Sequence, residues 1–355
     1  MTVKSQRFVL LDGLRGLAAI GVVFHHIGKG FYPPLNDLYL LVDFFFVLSG
    51  FVLLPTLPHA GEPIGKSSLR FLRRRFLRFW PMVIAVVLFR VLLWAQWEWA
   101  GQPDPIAGRT AGISHFPTSF VAALLLLHLV YPLAREWTGV LWSLSAEWWS
   151  NVIALPFTVS RHKWVLPSGL VLGYGLLLLG WVLNQQAIEG VRALGRALVG
   201  FFIGLILRRF FDSRKSTFSP KLLVTSVALV LGYFAVNLHY RSGEMVIVGP
   251  LFAFFIYQVA TVNQDNIHPQ VLRISHFLGA MSFGIYAWHP NMQMLLSTAG
   301  VRLVAKDNVA QSFAGLIGAG TLIVTLSIVA SLLFQKLIDI PLHKKFGAPK
   351  AVQTA

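Results

Sequence analysis

The sequence predicts an all-α, polytopic transmembrane helical bundle of about ten spans plus one re-entrant or interfacial segment, with both termini cytoplasmic. Three observations predict it. Of 355 residues, 55% are hydrophobic and 12% charged, about half the charged share of a soluble domain. Apolar runs recur along the chain, most about long enough to cross a ~30 Å hydrocarbon core. The 30 Lys and Arg, against 14 Asp and Glu, fall in short clusters between those runs, as charges flanking membrane spans do. That clustering argues against nucleic-acid binding, which needs basic residues along one soluble face. There are no cysteines, so disulfides, a thiol nucleophile and thiolate metal ligands are excluded.

In chain order, the apolar runs lie near 10–28, 37–57, 79–97, 118–133, 140–158, 164–183, 193–207, 222–238, 246–262, 276–298 and 312–335. The first resembles a signal peptide behind Lys4 and Arg7, but Asp12 and Arg15 interrupt it, so it reads as a retained span. An odd count of eleven makes the run 118–133 decisive for topology. If it does not cross, 20 Lys and Arg lie on the N-terminal side and 8 on the other, leaving out Arg15 and Arg90 inside spans; if it crosses, the split is 14 to 14. The positive-inside bias therefore selects ten spans, with 118–133 re-entrant on the outer side. The expected organisation is one transmembrane domain over 1–340 and a short basic cytoplasmic tail over 341–355, with no appended soluble domain. No internal repeat of the inverted transporter kind is visible.

Ionisable residues at membrane depth are costly and usually functional, and five stretches carry them. In the first span, Arg15 and His26 are eleven residues apart, roughly 16 Å along a helix. Asp12 precedes Arg15 by three, a spacing at which the two can meet. A buried ion pair with an interfacial histidine is the bland alternative. His25 and His26 point about 100° apart, so only one can face a given cavity. At the cytoplasmic start of the third span, Arg70, Arg73 and Arg74 read as flanking charge. Arg75 and Arg78 share one helical face next to the apolar run, where arginine forks suit phosphate oxygens. Trp142-Ser143-Leu144-Ser145-Ala146-Glu147 places a carboxylate roughly 10 Å into a span. Asp43 lies in Asp43-Phe44-Phe45-Phe46-Val47-Leu48-Ser49-Gly50, and His289 ends Ser282-Phe283-Gly284-Ile285-Tyr286-Ala287-Trp288-His289. Orientation by charge puts Arg15, Arg75 and Arg78 in the inner half, and His26, Asp43, Glu147 and His289 in the outer half. Two histidines and two acids scattered over four spans match no compact metal-ligand motif, so no metal site is expected.

These stretches, in this order, resemble the acyltransferase-3 family of integral membrane O-acyltransferases. The resemblance covers most of the chain and is densest in its first half. Family members carry a basic residue, ten residues and then histidine in the first span, which selects Arg15 and His26 over His25. They also carry an arginine pair three apart, matching Arg75 and Arg78, followed by Pro81. Leu41–Val52, Trp142–Glu147 and Ser282–His289 are similar to further family motifs. Val42 stands where a glycine is usual, and Trp148 and Trp149 follow Glu147 in place of a common glutamate and glutamine, which leaves the acceptor open.

The resemblance implies transfer of an acyl group, most often acetyl, from acetyl-CoA as co-substrate to a hydroxyl of a saccharide or glycolipid, in a bacterial inner membrane. Arg15, Arg75 and Arg78 would hold the CoA phosphates. His26 would act as base with Glu147 or Asp43 orienting its ring, or would carry the acyl group covalently. Asp12, Ser145, Trp142, Tyr286 and His289 would support substrate or structure. The lipid bilayer, acyl-CoA and the acceptor are the expected partners. Acceptor choice is expected in the outer loops, notably 98–117. A transporter or flippase of acylated saccharides or lipids is the alternative, since ionisable groups also line transport paths.

Overall fold

A computed structural model describes residues 7–29, 32–58, 63–101, 116–137, 139–160, 162–183, 189–214, 217–236, 244–298 and 312–346. Every regular element among them is helical. In order they are α1 (Val9–Gly28), α2 (Pro33–Asn36), α3 (Leu41–Leu53), α4 (Ile64–Trp99), α5 (Phe116–Leu124), α6 (Leu141–Val159), α7 (Val165–Val182), α8 (Glu189–Ser213), α9 (Pro220–Val236), α10 (Glu244–Ala260), α11 (Pro269–Thr298), α12 (Phe313–Phe334) and α13 (Ile340–Phe346). Most of the 98–117 loop and the tail beyond 346 lie outside the described residues.

Among the described residues, six stretches are long and apolar enough to cross a membrane: Val9–Gly28, Pro33–Thr56, Gly65–Trp99, Val165–Val182, Glu189–Ser213 and Phe313–Leu342. Two further apolar helices, Pro220–Ala235 and Val246–Ala260, are shorter. α6 and α11, 19 and 30 residues long, fall outside the six because polar side chains dilute their hydropathy. Length and apolarity thus account for six spans, and the ten-span topology rests on the charge distribution. The apolar run 118–133 is not one helix. α5 has nine residues, a rise of about 13 Å against a ~30 Å core. After it the chain turns at Leu126, whose φ is 54°. The Ser145 hydroxyl donates to the Leu126 carbonyl, and Trp149 Nε1 donates to the same oxygen at 3.4 Å, so α6 pins the turn.

α1 packs along α11, α3 and α7 pack along α8, and α11 packs along α12. Between membrane helices the drive is van der Waals packing, so small residues sit at close crossings. A Cβ at Gly16 would lie 2.6 Å from the Leu278 carbonyl oxygen, and one at Gly50 would lie 2.0 Å from that of Phe201. α1 and α11 therefore meet backbone to backbone beside Arg15, which lets that side chain bond across the crossing. We expect Gly16→Val to destabilise by about 1–3 kcal/mol through overpacking, seen as a lower thermal midpoint in detergent. An unchanged midpoint would contradict the close crossing.

Candidate active site

A cavity of about 490 Å³ opens between α1, α3, α4, α6, α8 and α11. Its charged lining is six arginines, Arg7, Arg15, Arg74, Arg75, Arg78 and Arg208, against two carboxylates, Asp12 and Glu147. Each helix presents these side chains through its 3.6-residue period. On α6, Ser143, Leu144 and Glu147 line the cavity, whereas Ser145 faces away to the Leu126 turn. On α11, Ser282, Phe283 and Tyr286 line it.

The arginines differ in how far the protein satisfies them. Arg15 Nε donates to Ser282 Oγ at 2.9 Å and Nη2 to the Gly279 carbonyl at 2.9 Å, so α11 holds the guanidinium in place. Asp12 Oδ1 lies 3.8 Å from Arg15 Nη2, and Asp12 Oδ2 accepts from Arg7 Nε at 3.1 Å. Arg75 is buried and donates from Nη2 to Glu147 Oε1 at 2.5 Å, with Phe79 under its guanidinium at 4.4 Å. The same Glu147 oxygen accepts from Ser49 Oγ at 2.7 Å. Arg78 makes no hydrogen bond or ion pair with any described residue, although it lines the cavity. A guanidinium with five donors and no acceptor is an open anion site.

The histidines form a second cluster just beyond Tyr286. The rings of His26 and His289 are 5.0 Å apart, those of His25 and His26 are 5.2 Å apart, and Tyr286 is 6.1 Å from His289. Local backbone chemistry sets their tautomers. Pro290 has no N–H, so the Tyr286 carbonyl four residues back loses its helical donor, and His289 Nδ1 supplies one at 2.8 Å. His26 Nδ1 lies 2.9 Å from the Val22 carbonyl and His25 Nδ1 lies 2.8 Å from that of Leu35. A carbonyl only accepts, so each Nδ1 carries the hydrogen and each Nε2 keeps its lone pair. His289 Nε2 is buried without a partner. Tyr286 closes the cavity on the histidine side, with its hydroxyl 2.6 Å from Ser143 Oγ and 3.2 Å from the Val140 carbonyl.

The structure brings Arg15, Arg75, Arg78, Asp12, Glu147 and Tyr286 to one cavity, and sets His26 against His289 beside it. It does not bring either expected acid to the His26 nitrogens. Glu147 is engaged by Arg75 and Ser49. Asp43, fully buried, accepts from Arg196 Nε at 3.2 Å and Nη2 at 2.6 Å. The Val22 carbonyl orients the His26 ring instead. The division of Glu147 to the outer half and Arg75 to the inner half also gives way, because the two touch. Arg75 lies eleven residues into α4 and Glu147 six into α6, about 16 Å and 9 Å from the helix starts, and their contact puts both at one depth. Trp142 stacks near Arg196, at 5.7 Å. Among the described residues no group of His, Asp and Glu could hold a metal ion.

Arg7, Arg196 and Arg208 were not singled out from sequence. Arg196 gave a readable signal, since it lies four residues into the apolar run 193–207. Arg7 and Arg208 read as flanking charge, and only the convergence of helix ends shows that they line the cavity.

A basic intramembrane cavity ending beside a histidine pair defines a site for an anionic ligand that reacts or is handed on at its inner end. The acyltransferase-3 family model, described as an acyltransferase domain, matches residues 8–334. The chain belongs to that family and is an integral membrane acyltransferase. It is 33% identical over 147 residues to protein 2 in the picA locus of Rhizobium radiobacter, covering 40% of this chain and 75% of that one. It is 24% identical over 311 residues to a protein of the Acidianus two-tailed virus named as a candidate acetyltransferase, covering 82% and 84%. A Staphylococcus aureus protein named as a candidate O-acetyltransferase is 34% identical over 87 residues, 24% of this chain and 14% of that one. No solved structure matches the chain.

Proposed function

We propose that the chain moves an acyl group, acetyl first among them, from cytoplasmic acyl-CoA to a hydroxyl of a saccharide or glycolipid acceptor at the outer side of a bacterial inner membrane. The observation that carries this reading is Arg78, a cavity arginine with no acceptor among the described residues, beside the fixed guanidiniums of Arg15 and Arg75. Phosphate oxygens are the ligand that such a set of forks fits. The relatives named as acetyltransferases support acetyl as the group transferred.

On this reading the phosphates of the donor lie among Arg15, Arg75 and Arg78, and the thioester end extends past Tyr286 toward the histidines. Neutral His26 takes the proton of the acceptor hydroxyl on Nε2 while the oxygen attacks the thioester carbonyl. The C–S bond then breaks, the acyl group stays on the acceptor oxygen, and the proton returns to the CoA thiolate. Glu147 positions Arg75 and neutralises part of the arginine field, so that bound donor and its release stay balanced. Asp43 holds Arg196 near Trp142 on the same side of the bundle as His25 and Tyr39.

Arg78→Gln tests the donor site without removing a hydrogen bond or ion pair to any described residue. A lost charge-assisted hydrogen bond, about 1.5–3 kcal/mol, is expected to weaken CoA binding roughly tenfold or more, with an unchanged thermal midpoint in detergent. CoA affinity equal to the wild type would remove Arg78 from the donor site.

A further inference from the structure

At the end of the cavity away from the histidines stands a second set of arginines that the reaction scheme above does not use. Arg208 lies five residues before the end of α8. It is 6% exposed, yet it lines the cavity. Its guanidinium sits between two rings, 5.3 Å from Phe8 at the start of α1 and 5.3 Å from Phe51 near the end of α3. Asp212 accepts from Nε alone, at 2.8 and 2.9 Å. No described residue accepts from its two terminal amino groups. A side chain clamped by two aromatic faces and one carboxylate, with its outer fork unfilled, is preorganised for a ligand oxygen pair. Arg7, held by Asp12, and exposed Arg74 line the same cavity. Arg7 bonds the same Asp12 carboxylate that lies 3.8 Å from Arg15 Nη2, so this set adjoins the Arg15, Arg75 and Arg78 group, with Arg208 beyond it against Phe8.

Charge balance points the same way. Six arginines and two lining carboxylates leave an excess of four positive charges, or three when Asp212 on Arg208 is counted. The diphosphate of CoA carries two negative charges, and its ribose 3′-phosphate, a monoester, adds roughly −1.5 to −2 at neutral pH. The diphosphate alone would leave part of the excess unmatched.

On the acyl-CoA reading above, we propose that Arg208, supported by Arg7 and Arg74, forms a second anion subsite that takes the ribose 3′-phosphate of the donor. The subsite selects a nucleotide bearing a phosphate monoester over one ending in a free ribose. It leaves the diphosphate to Arg15, Arg75 and Arg78. Arg208 is a binding residue and has no part in the transfer step.

The test is equilibrium binding of CoA and of 3′-dephospho-CoA to the full-length protein in detergent. The wild type is expected to prefer CoA by at least about tenfold, the weight of a charge-assisted contact. Arg208→Gln should weaken CoA to the level of 3′-dephospho-CoA and leave the latter within about twofold of wild type, so that the preference disappears. Arg74→Gln, at an exposed position where folding is not at risk, should shrink the preference by a smaller factor. Equal wild-type affinity for the two nucleotides would overturn the subsite and leave the acyl-CoA reading intact. So would a preference that survives in both variants, or an equal loss for both nucleotides in Arg208→Gln, the mark of a merely structural side chain. Binding of neither nucleotide by a folded wild type would overturn the acyl-CoA reading itself.

Discussion

Replacing His26 by Ala is expected to lower acyl transfer 10²–10⁴-fold, the range for loss of a general base, with CoA affinity close to wild type. The expectation follows from the position of the ring. Its Nδ1 is committed to the Val22 carbonyl, so Nε2 keeps its lone pair beside the cavity, and Arg15, one of the arginines that would hold the donor, is roughly 16 Å away along α1. A variant that lost affinity and kept its turnover rate would show that His26 shapes the donor site. A variant within about threefold of wild type in both quantities would place the base elsewhere, with His289, 5.0 Å away, as the next side chain to replace. Steady-state kinetics with labelled acetyl-CoA in proteoliposomes separate these outcomes, because kcat and KM move independently.

The second large effect is on stability. Asp43 has no exposed surface, and Arg196 supplies both of its side-chain hydrogen bonds from another helix. Arg196→Met should destabilise the protein by about 3–5 kcal/mol, since it strands a buried carboxylate. The double variant Asp43→Leu with Arg196→Met should regain most of that loss, because a matched apolar pair is often as stable as a buried ion pair. Thermal midpoints of the single and double variants measure the coupling. Additive losses would mean that the pair contributes through separate contacts, and that α3 and α8 are not joined by this ion pair.

Much of the helical architecture was legible because apolar runs of membrane length leave little choice of backbone: only helices and closed barrels satisfy every peptide group in lipid. The run 118–133 was set apart by the charge split, but nothing in the sequence marks Leu126 as a turning point within it. The arginine cavity was partly legible, since Arg15, Arg75 and Arg78 are out of place in or beside apolar helices. Partner choice was not. Which acid meets which base depends on helix rotation and vertical offset, so Glu147 was expected near His26 and is bound to Arg75. Periodicity fixes one helix face relative to itself and says nothing about depth against a neighbour of different length, such as the 36-residue α4. Arg208 was invisible for a related reason: only the meeting of the start of α1, the end of α3 and the end of α8 turns a flanking charge into a cavity wall.

The most direct measurement confines labelled acetyl-CoA to one face of oriented proteoliposomes that contain an envelope saccharide or glycolipid acceptor. The two faces would be identified by protease access to the N-terminal segment. Donor supplied on the face bearing Arg7 should lose its thioester and label acceptor hydroxyls, and donor supplied on the opposite face should be left intact. Equal labelling from both faces would contradict a donor cavity that opens on one side. Movement of label across the membrane with the thioester uncleaved would contradict acyl transfer altogether and favour a transporter.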